Sequence, residues 1–318
     1  MVSKVLITGG AGFIGHNLIK HLESHNFHVC VVDNFSRGSR SFLDASTKVF
    51  EGDIGDINFL EKSFEGIDCV IHLAAYGSVI ESIENPIINF SQNALGTLNV
   101  LEAARRQNVK KVIFSSTGGA IMGDTPPPVN EKSLPAPISP YGSSKLCGEA
   151  YMKSYAESFD IDTVSLRFGN IYGPGSSLKR GVITLWIKSL MKDKEITIYG
   201  DGNSSRDYLY VNDLCEGIAM AVKKNISGAS IFHLSSGEGT SLNILKDMLE
   251  KISEKKFKKV TYKDLRKGEV IQNFANFNKA KEVLGFIPKT TLQDGLSETY
   301  KWFKDLNAQD LNNTTFDS

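Results

Sequence analysis

Short apolar runs rich in β-branched residues recur along the chain and predict its strands. They lie at residues 5–8, 29–33, 48–51, 69–73, 112–115, 163–167 and 231–234. Segments with apolar positions at helical spacing separate or follow these runs, near residues 13–24, 89–107, 140–158, 182–192, 212–223, 242–254, 279–284 and 292–306. Because strands alternate with helices through the first half, the pattern predicts an α/β fold with a doubly wound parallel sheet.

The alternation loosens after Phe168, where glycine, proline and polar residues become frequent. We therefore predict two main parts. Residues 1–168 are expected to form a nucleotide-binding domain, with further strand and helix returns near residues 206–235. Residues 169–306 are expected to form a smaller, loop-rich substrate-binding region over the carboxyl edge of the sheet, followed by a polar, disordered tail at 307–318.

The composition favours a small-molecule partner. Lys and Arg together number 36, as do Asp and Glu, so the chain lacks the positive excess that nucleic acids or anionic membranes select. No window approaches the roughly 18 consecutive apolar residues of a membrane span, and no secretory leader is evident, so we expect a cytoplasmic protein. The four cysteines are scattered without metal or redox spacing and are expected to be reduced packing residues.

His21 and His25 have the four-residue spacing of two metal ligands on one helix face. No carboxylate or third ligand accompanies them on that face in an obvious pattern. We therefore predict a solvated polar face here and no metal site in the protein.

A glycine-rich turn follows the first strand and leads into the first helix. In this arrangement Gly9 permits the tight turn, Gly12 lets backbone N–H groups approach a pyrophosphate, and Gly15 lets the helix pack closely on the strand. The setting between strand and helix makes the pattern more specific than a glycine triplet alone. It predicts a dinucleotide site with contacts from Gly9, Gly12, Phe13, Ile14 and Gly15.

Asp33 ends the second strand, at the distance where an acid accepts hydrogen bonds from the adenosine ribose hydroxyls. Its charge would repel a 2′-phosphate, so we expect NAD rather than NADP. Arg37 is close enough to leave NADP open, although a surface cation is the more ordinary role. Asp53 with Ile54 could hold the adenine edge, and a helix cap is the alternative for Asp53. Small side chains near the path of the dinucleotide come from Leu73, Ala74 and Ala75.

Tyr141 and Lys145 lie one helical turn apart and predict a tyrosine general base. A free phenol has a pKa of about 10, so its anion must be stabilised. An ammonium at roughly 5 Å contributes about 3 kcal/mol in an effective dielectric near 20, and the positive nicotinamide ring would add to this. Thr117 or Ser116, at the end of the fifth strand, would place a hydroxyl near the same carbon; strand-end capping is the alternative.

Together these motifs resemble the extended short-chain dehydrogenase/reductase superfamily, within it the NAD-dependent epimerase/dehydratase family, and most of all its UDP-glucose and UDP-N-acetylglucosamine 4-epimerases. The resemblance covers nearly the whole chain, through residues 8–15, 33–34, 53–54, 72–75, 93–97, 115–117, 139–145, 167–174 and 200–208. It implies a Rossmann fold, NAD as cofactor, a UDP-sugar substrate and a homodimer paired through the helices at 89–107 and 140–158.

The resemblance also implies roles for individual residues. Tyr141 would be the base, and Lys145 would lower its pKa and bind the nicotinamide ribose. Thr117 would be the hydroxyl partner, with Ser116 as its alternative, and Asn34 and Asn93 would join the cofactor contacts. The substrate would meet Ser78, Thr117, Tyr141, Asn170, Val182, Tyr199, Arg206, Arg266, Glu269 and Asn273, with the two arginines on its phosphates.

Gly118 and Gly119 follow Thr117, whereas dehydratase relatives carry an Asp–Glu pair there and decarboxylase relatives a Glu. Without an extra acid, we expect an isomerase that removes and returns hydride at C4 of a UDP-hexose. Asn273 is smaller than the Tyr of relatives restricted to unmodified hexoses, so N-acetylated sugars are expected to enter. The alternatives are a nucleotide-sugar dehydratase or reductase, and an NAD-binding sensor without catalysis.

Overall fold

A seven-stranded parallel sheet lies at the centre of the structure, a computed structural model that describes residues 2–265 and 270–306. The strands are Lys4–Thr8 (β1), His28–Asp33 (β2), Lys48–Glu51 (β3), Cys69–His72 (β4), Lys111–Thr117 (β5), Asp162–Phe168 (β6), Asn170–Tyr172 (β7), Ile196–Tyr199 (β8), Ser205–Arg206 (β9), Tyr208–Tyr210 (β10), Ala229–Leu234 (β11), Thr240–Ser241 (β12), Val260–Lys263 (β13) and Gln272–Asn273 (β14). The helices are Phe13–Ser24 (α1), Ile57–Ser63 (α2), Val79–Glu84 (α3), Pro86–Asn89 (α4), Gly96–Arg106 (α5), Pro140–Phe159 (α6), Val182–Met191 (α7), Val211–Lys223 (α8), Leu242–Ser253 (α9), Asn278–Leu284 (α10) and Leu292–Asp305 (α11). A π-helical turn at Phe90–Leu95 joins α4 to α5.

The strand order across the main sheet is β11-β6-β5-β4-β1-β2-β3. The chain runs outward from β1 through β2 to β3 and then crosses to β4, on the other side of β1. In register, Leu6 of β1 lies between Cys30 of β2 and Val70 of β4. At such a reversal the loops leaving neighbouring strands diverge, so a crevice opens at the carboxyl ends of β1 and β4.

Apolar side chains cover both faces of this sheet. On one face, Leu18 of α1 and Ile218 of α8 belong to a buried cluster that includes strand residues. On the other face, Leu101 of α5 and Met152 of α6 belong to a second cluster. Because helices cover both sides, the central strands are buried on both sides and carry nearly continuous apolar runs, which is the pattern found in the sequence.

A third apolar cluster lies outside the main sheet, among α7, α9 and α11, and contains Trp186, Leu249 and Phe303. Small sheets accompany it: β7 pairs with β10, β8 with β13, and β9 lies between β12 and β14. The chain returns to the main sheet at β11, which runs beside β6 with Phe232 opposite Leu166. The domain limits placed at residues 168 and 306 stay a prediction.

The predicted α/β fold is confirmed, and each of the seven predicted strands lies in the main sheet within a few residues of its expected bounds. The sequence pattern missed α2, α3 and the short strands outside the main sheet, because elements of two to seven residues carry too few positions to show a period. The predicted tail at 307–318 lies outside the described residues. Within the described ranges, no helix combines the length and the apolar character needed to cross a bilayer.

Candidate active site

The glycine turn after β1 has the close contacts that a dinucleotide loop requires. Gly9 has φ +74°, and a Cβ there would lie 2.7 Å from the Ala74 nitrogen. A Cβ on Gly15 would lie 2.5 Å from the Gly9 carbonyl oxygen, so only glycine lets α1 start this close to the turn. Gly12 is the N-cap residue of α1 and has no side chain to satisfy the first N–H groups of the helix. These groups are therefore available to a phosphate.

A cleft opens at this turn, at the carboxyl ends of β1, β2 and β4. Its lining contains eight of the predicted cofactor residues: Gly9, Gly12, Asp33, Asn34, Ile54, Leu73, Ala74 and Ala75. The glycines and alanines leave room for an extended ligand, and the acid lies where a ribose would be. The residues present therefore fit NAD.

The Asp33 carboxylate is fixed by two backbone N–H groups. Its Oδ2 accepts from Ala11 at 2.9 Å, and its Oδ1 accepts from Phe35 at 2.8 Å. Burial raises the pKa of Asp33, and these two hydrogen bonds act in the opposite direction. Each oxygen keeps a second acceptor position, so the carboxylate can also receive the two hydroxyls of a ribose.

Asp53 joins the loops that follow β2 and β3. Its Oδ2 accepts from Asn34 Nδ2 at 2.7 Å, and its Oδ1 accepts from the Gly55 N–H at 2.7 Å. The helix-cap alternative for Asp53 is wrong, because Asp56 caps α2 by accepting from Asn58 and Phe59. Asp53 thus positions Asn34 in the cleft wall.

Asn93 is buried in the π-helical turn and ties the loop after β4 to α6. Its Oδ1 accepts from the Tyr76 N–H at 2.8 Å, while Nδ2 donates to the Tyr76 carbonyl and to Ser144 Oγ, both at 3.1 Å. With both amide atoms engaged by protein, Asn93 positions the cleft wall, and direct cofactor contact through this side chain stays a prediction.

Arg37 is more than the surface cation that the sequence suggested. It lines the cleft, its guanidinium lies 4.5 Å from the centroid of the Tyr76 ring, and it donates to both Glu81 carboxylate oxygens, at 2.6 and 3.2 Å. Arg180, from the loop before α7, also binds Glu81, at 2.5 Å. Glu81, Tyr76 and Arg180 were not predicted as a group from the sequence. Together with Arg37 they come from segments far apart along the chain, and no short motif connects such segments.

Tyr141 occupies the first turn of α6, behind an N-cap in which Ser139 Oγ accepts from the Gly142 N–H at 3.2 Å. The Tyr141 N–H donates to Ser82 Oγ of α3 at 3.1 Å. One turn later, the Lys145 ammonium donates to the Ser115 carbonyl of β5 at 2.8 Å. The Tyr–Lys pair is thereby fixed at the carboxyl end of β5, against the helix that follows the β4 loop.

Burial acts on both members of this pair in the protein alone. It raises the pKa of Tyr141 to about 12 and lowers the pKa of Lys145 to about 7, because each charged form loses hydration. No effect of Lys145 offsets this rise in the pKa of Tyr141 in the protein alone. The expectation that the lysine and the positive nicotinamide ring together lower the pKa of the phenol stays a prediction.

The structure separates the two candidate hydroxyls at the end of β5. Ser116 is buried, and its Oγ donates to Glu149 Oε1 at 2.6 Å. Glu149 also forms a bidentate pair with Arg167, at 2.8 and 2.7 Å. The alternative that placed Ser116 at the reacting centre is thus corrected, because side chains alternate along a strand and Ser116 points into this buried pair. Thr117, the next residue, is partly exposed and remains the candidate.

Asn273 and Arg206 lie side by side, since β14 pairs with β9 in the register Asn273↔Arg206. Asn273 Nδ2 donates to the Gly118 carbonyl at 3.4 Å, so this buried side chain lies against the loop that follows Thr117. Arg206 donates to the Ser205 and Ile271 carbonyls, at 2.9 and 3.2 Å.

The remaining predicted substrate residues lie on different elements. Asn170 begins β7 and is exposed, Val182 begins α7, and Tyr199 ends β8. Ser78 caps α3, with its Oγ accepting from the Glu81 N–H at 3.2 Å. Arg266 and Glu269 lie outside the described residues. Their roles stay predictions.

Comparison with known proteins gives similarity over the full fold. A family profile described as the NAD dependent epimerase/dehydratase family matches residues 5–235. A putative UDP-glucose 4-epimerase of Methanocaldococcus jannaschii is 36% identical over 309 residues, covering 95% of this chain and 99% of the relative. The solved UDP-glucose 4-epimerase of Thermus thermophilus, in complex with NAD, has a TM-score of 0.90 at 34% identity, covering 95% of this chain and 99% of that one. A UDP-N-acetylglucosamine 4-epimerase from Methanobrevibacter ruminantium, in complex with UDP-N-acetylmuramic acid, has a TM-score of 0.88 at 31% identity, covering 96% and 99%.

Proposed function

The chain belongs to the NAD-dependent epimerase/dehydratase family, its cofactor is NAD, and we propose that it inverts C4 of a UDP-hexose. The substrates proposed are UDP-glucose and UDP-galactose, together with their N-acetylated counterparts. Gly9, Gly12 and Asp33 would hold NAD, which would supply reversible hydride transfer at C4 by way of a 4-keto sugar. The rest of the chemistry is proton transfer and positioning by the protein.

The observation that carries this proposal is the Tyr141–Lys145 pair on α6, which hydrogen bonds between Ser144 and Asn93 and between Asn93 and Tyr76 connect to the wall of the dinucleotide cleft. Tyr141 would take the proton from the C4 hydroxyl and give it back, and Thr117 would hydrogen-bond the same oxygen. Lys145 is held by the Ser115 carbonyl and lies 4.7 Å from the centroid of the Phe114 ring, both of which favour its protonated form.

The loop after Thr117 supports epimerisation over dehydration. A Cβ at Gly118 would lie 3.3 Å from His233 Nδ1, and one at Gly119 would lie 3.1 Å from Asn273 Oδ1. These positions therefore have little room for the longer acidic side chains with which dehydratases eliminate water. Hydride return to the same carbon requires no such acid.

Asn273 supports acceptance of N-acetylated sugars. Its side chain is only 3% exposed, donates to the Gly118 carbonyl beside Thr117, and is smaller than the tyrosine of relatives restricted to unmodified hexoses. Asn273→Tyr is expected to remove turnover of UDP-N-acetylglucosamine and to retain turnover of UDP-glucose. Equal turnover of both sugars by the variant would contradict the assignment.

The test of the main proposal is product identification. Purified protein with NAD should convert each UDP-sugar to its C4 isomer with no net change in NADH absorbance, and Tyr141→Phe should lose this activity while keeping its cofactor. Elimination of water, consumption of NADH, or the absence of inversion on every UDP-sugar of a broad panel would reject the proposal.

The proposed assembly is a homodimer paired through residues 89–107 and 140–158, which form the end of α4, the π-helical turn, α5 and α6. Exposed apolar side chains concentrate at the start of the first segment and just before it: Ile80, Ile83, Ile87, Ile88 and Phe90, with Ile87 at 79% exposure. Exposed apolar side chains grouped in this way are typical of a protein–protein interface. Sedimentation of the native protein and of Ile87→Glu, which should be monomeric, tests the arrangement.

A further inference from the structure

Three potential metal ligands meet where α1 packs against α8. His21 lies in the last turn of α1, His25 is its C-cap residue, and Glu216 lies within α8. One ligand atom from each side chain lies within 4.8 Å of the other two. At 1.5 Å per helical residue, the histidines are roughly 12–18 Å along the axis from Phe13, so the cluster is separate from the dinucleotide cleft.

The orientation of the two imidazoles suits metal binding. Their ring centroids are 4.7 Å apart, and His21 Nε2 lies 2.9 Å from Glu216 Oε2. His25 Nδ1 lies 2.9 Å from the His21 backbone carbonyl, which can only accept, so Nδ1 carries the hydrogen. His25 Nε2 therefore has the free lone pair, and the backbone contact orients the ring as an outer-shell partner does in metal sites.

The contact between His21 and Glu216 already has the form of a shared ion site. His21 Nε2 and Glu216 Oε2 face each other at 2.9 Å. A cation can take the position between these two atoms, with the hydrogen of a neutral His21 ring then on Nδ1.

We propose that His21, His25 and Glu216 bind a divalent transition-metal ion, with Zn²⁺ the best match and water in the fourth position. Two imidazoles and one carboxylate form a donor set that zinc accepts, at bond lengths of about 2.0–2.2 Å. Such bonds place neighbouring ligand atoms about 3.3 Å apart. His21 Nε2 and Glu216 Oε2, now 2.9 Å apart, must therefore separate by roughly 0.4 Å, and the other pairs, within 4.8 Å, must close by up to roughly 1.5 Å. All three are partly exposed, which allows this movement and leaves a position for water.

The bound ion would join two helices that lie on one face of the main sheet. Because it binds the folded arrangement and not the unfolded chain, it would raise the melting temperature by mass action. Since the cluster lies at the end of α1 opposite the glycine turn, epimerase turnover should be unaffected. The sequence pattern of the two histidines could not show Glu216, which is 195 residues from His21 in the chain.

Metal titration of the full-length protein tests the site. After chelator treatment and dialysis, Zn²⁺ calorimetry should give one ion per chain, and Co²⁺ should give the visible absorption of a low-coordinate site. His25→Gln and Glu216→Gln should each weaken binding at least about tenfold. The matched control is His28→Gln, because His28 follows the same helix and lies outside the cluster.

A thermal readout separates binding from structural damage. Zn²⁺ at about 100 times its Kd should raise the melting temperature by several degrees in the native protein and in His28→Gln, and not in the two ligand variants. Without metal, all four proteins should melt at similar temperatures. Native affinity in both ligand variants, or the absence of stoichiometric Zn²⁺ binding, would overturn the proposal.

Discussion

Replacing Glu81 by glutamine is expected to speed the release of NAD without unfolding the protein. Arg37 comes from the loop after β2, whereas Glu81 lies on α3, after the loop that follows β4. These loops supply opposite walls of the cofactor cleft, and the Arg37–Glu81 pair with the adjacent Tyr76 ring joins them. Arg180 adds a third loop to the same carboxylate. For the cofactor to leave between these walls, the ion pairs of Glu81 with Arg37 and Arg180 would have to break.

The size of the effect follows from the exposure of the three side chains. Arg37 and Arg180 are 43% exposed and Glu81 is 22% exposed, so each pair is worth about 0.2–1 kcal/mol. Two pairs that break together give about 0.4–2 kcal/mol, or roughly a 2- to 30-fold faster release. Hydrogen bonding by Arg37 lowers the pKa of Glu81, so the connection is intact above the ordinary pKa of the acid and is lost only on acidification. Release should therefore be insensitive to pH near neutrality.

The assay is stopped-flow release of NADH from the reduced enzyme into a trapping dehydrogenase. Glu51→Gln is the matched control. It breaks another exposed arginine–glutamate pair, Arg40–Glu51, at the edge strand β3. Molar salt shortens the screening length to about 3 Å and should speed native release toward that of Glu81→Gln. If Glu81→Gln and Glu51→Gln both released NADH at the native rate, the connection would have no part in cofactor retention.

Three further outcomes are expected. Gly15→Ala should lower the melting temperature, since its Cβ would lie 2.5 Å from backbone oxygen, whereas Gly12→Ala, whose nearest contact is 3.3 Å, should fold normally and bind NAD more weakly. Glu149→Gln should lower the urea-derived free energy of unfolding by about 3–5 kcal/mol, because it leaves a buried guanidinium without its charge partner; a loss below about 1 kcal/mol would contradict this. Ser116→Ala should keep a near-native kcat, while Thr117→Val should lower kcat about 10- to 100-fold through one lost hydrogen bond. The reverse result would show that Ser116, and not Thr117, carries the catalytic hydroxyl.

Local patterns carried most of the correct expectations. The seven central strands are predictable because burial on both faces makes each of them a continuous apolar run. The glycine turn is predictable because its contacts form within a few residues, as in the approach of Gly15 to Gly9. Asp33 and the Tyr141–Lys145 pair are likewise fixed by spacing along one strand end or one helical turn. The short strands β9, β12 and β14 were missed because partners distant in sequence, and not their own periodicity, make them strands.

The sequence by itself therefore determined the sheet, the dinucleotide turn, the tyrosine–lysine pair and the family. Only the tertiary structure decided which of two adjacent hydroxyls faces the buried Glu149. Successive side chains of a strand point to opposite faces of the sheet, and the sequence alone does not show which face packs against Glu149. It also decided that Arg37 pairs with Glu81 and that Glu216 lies close to His21 and His25. Those groups come from segments tens to hundreds of residues apart, and their charges and lone pairs act on one another only after the helices have packed.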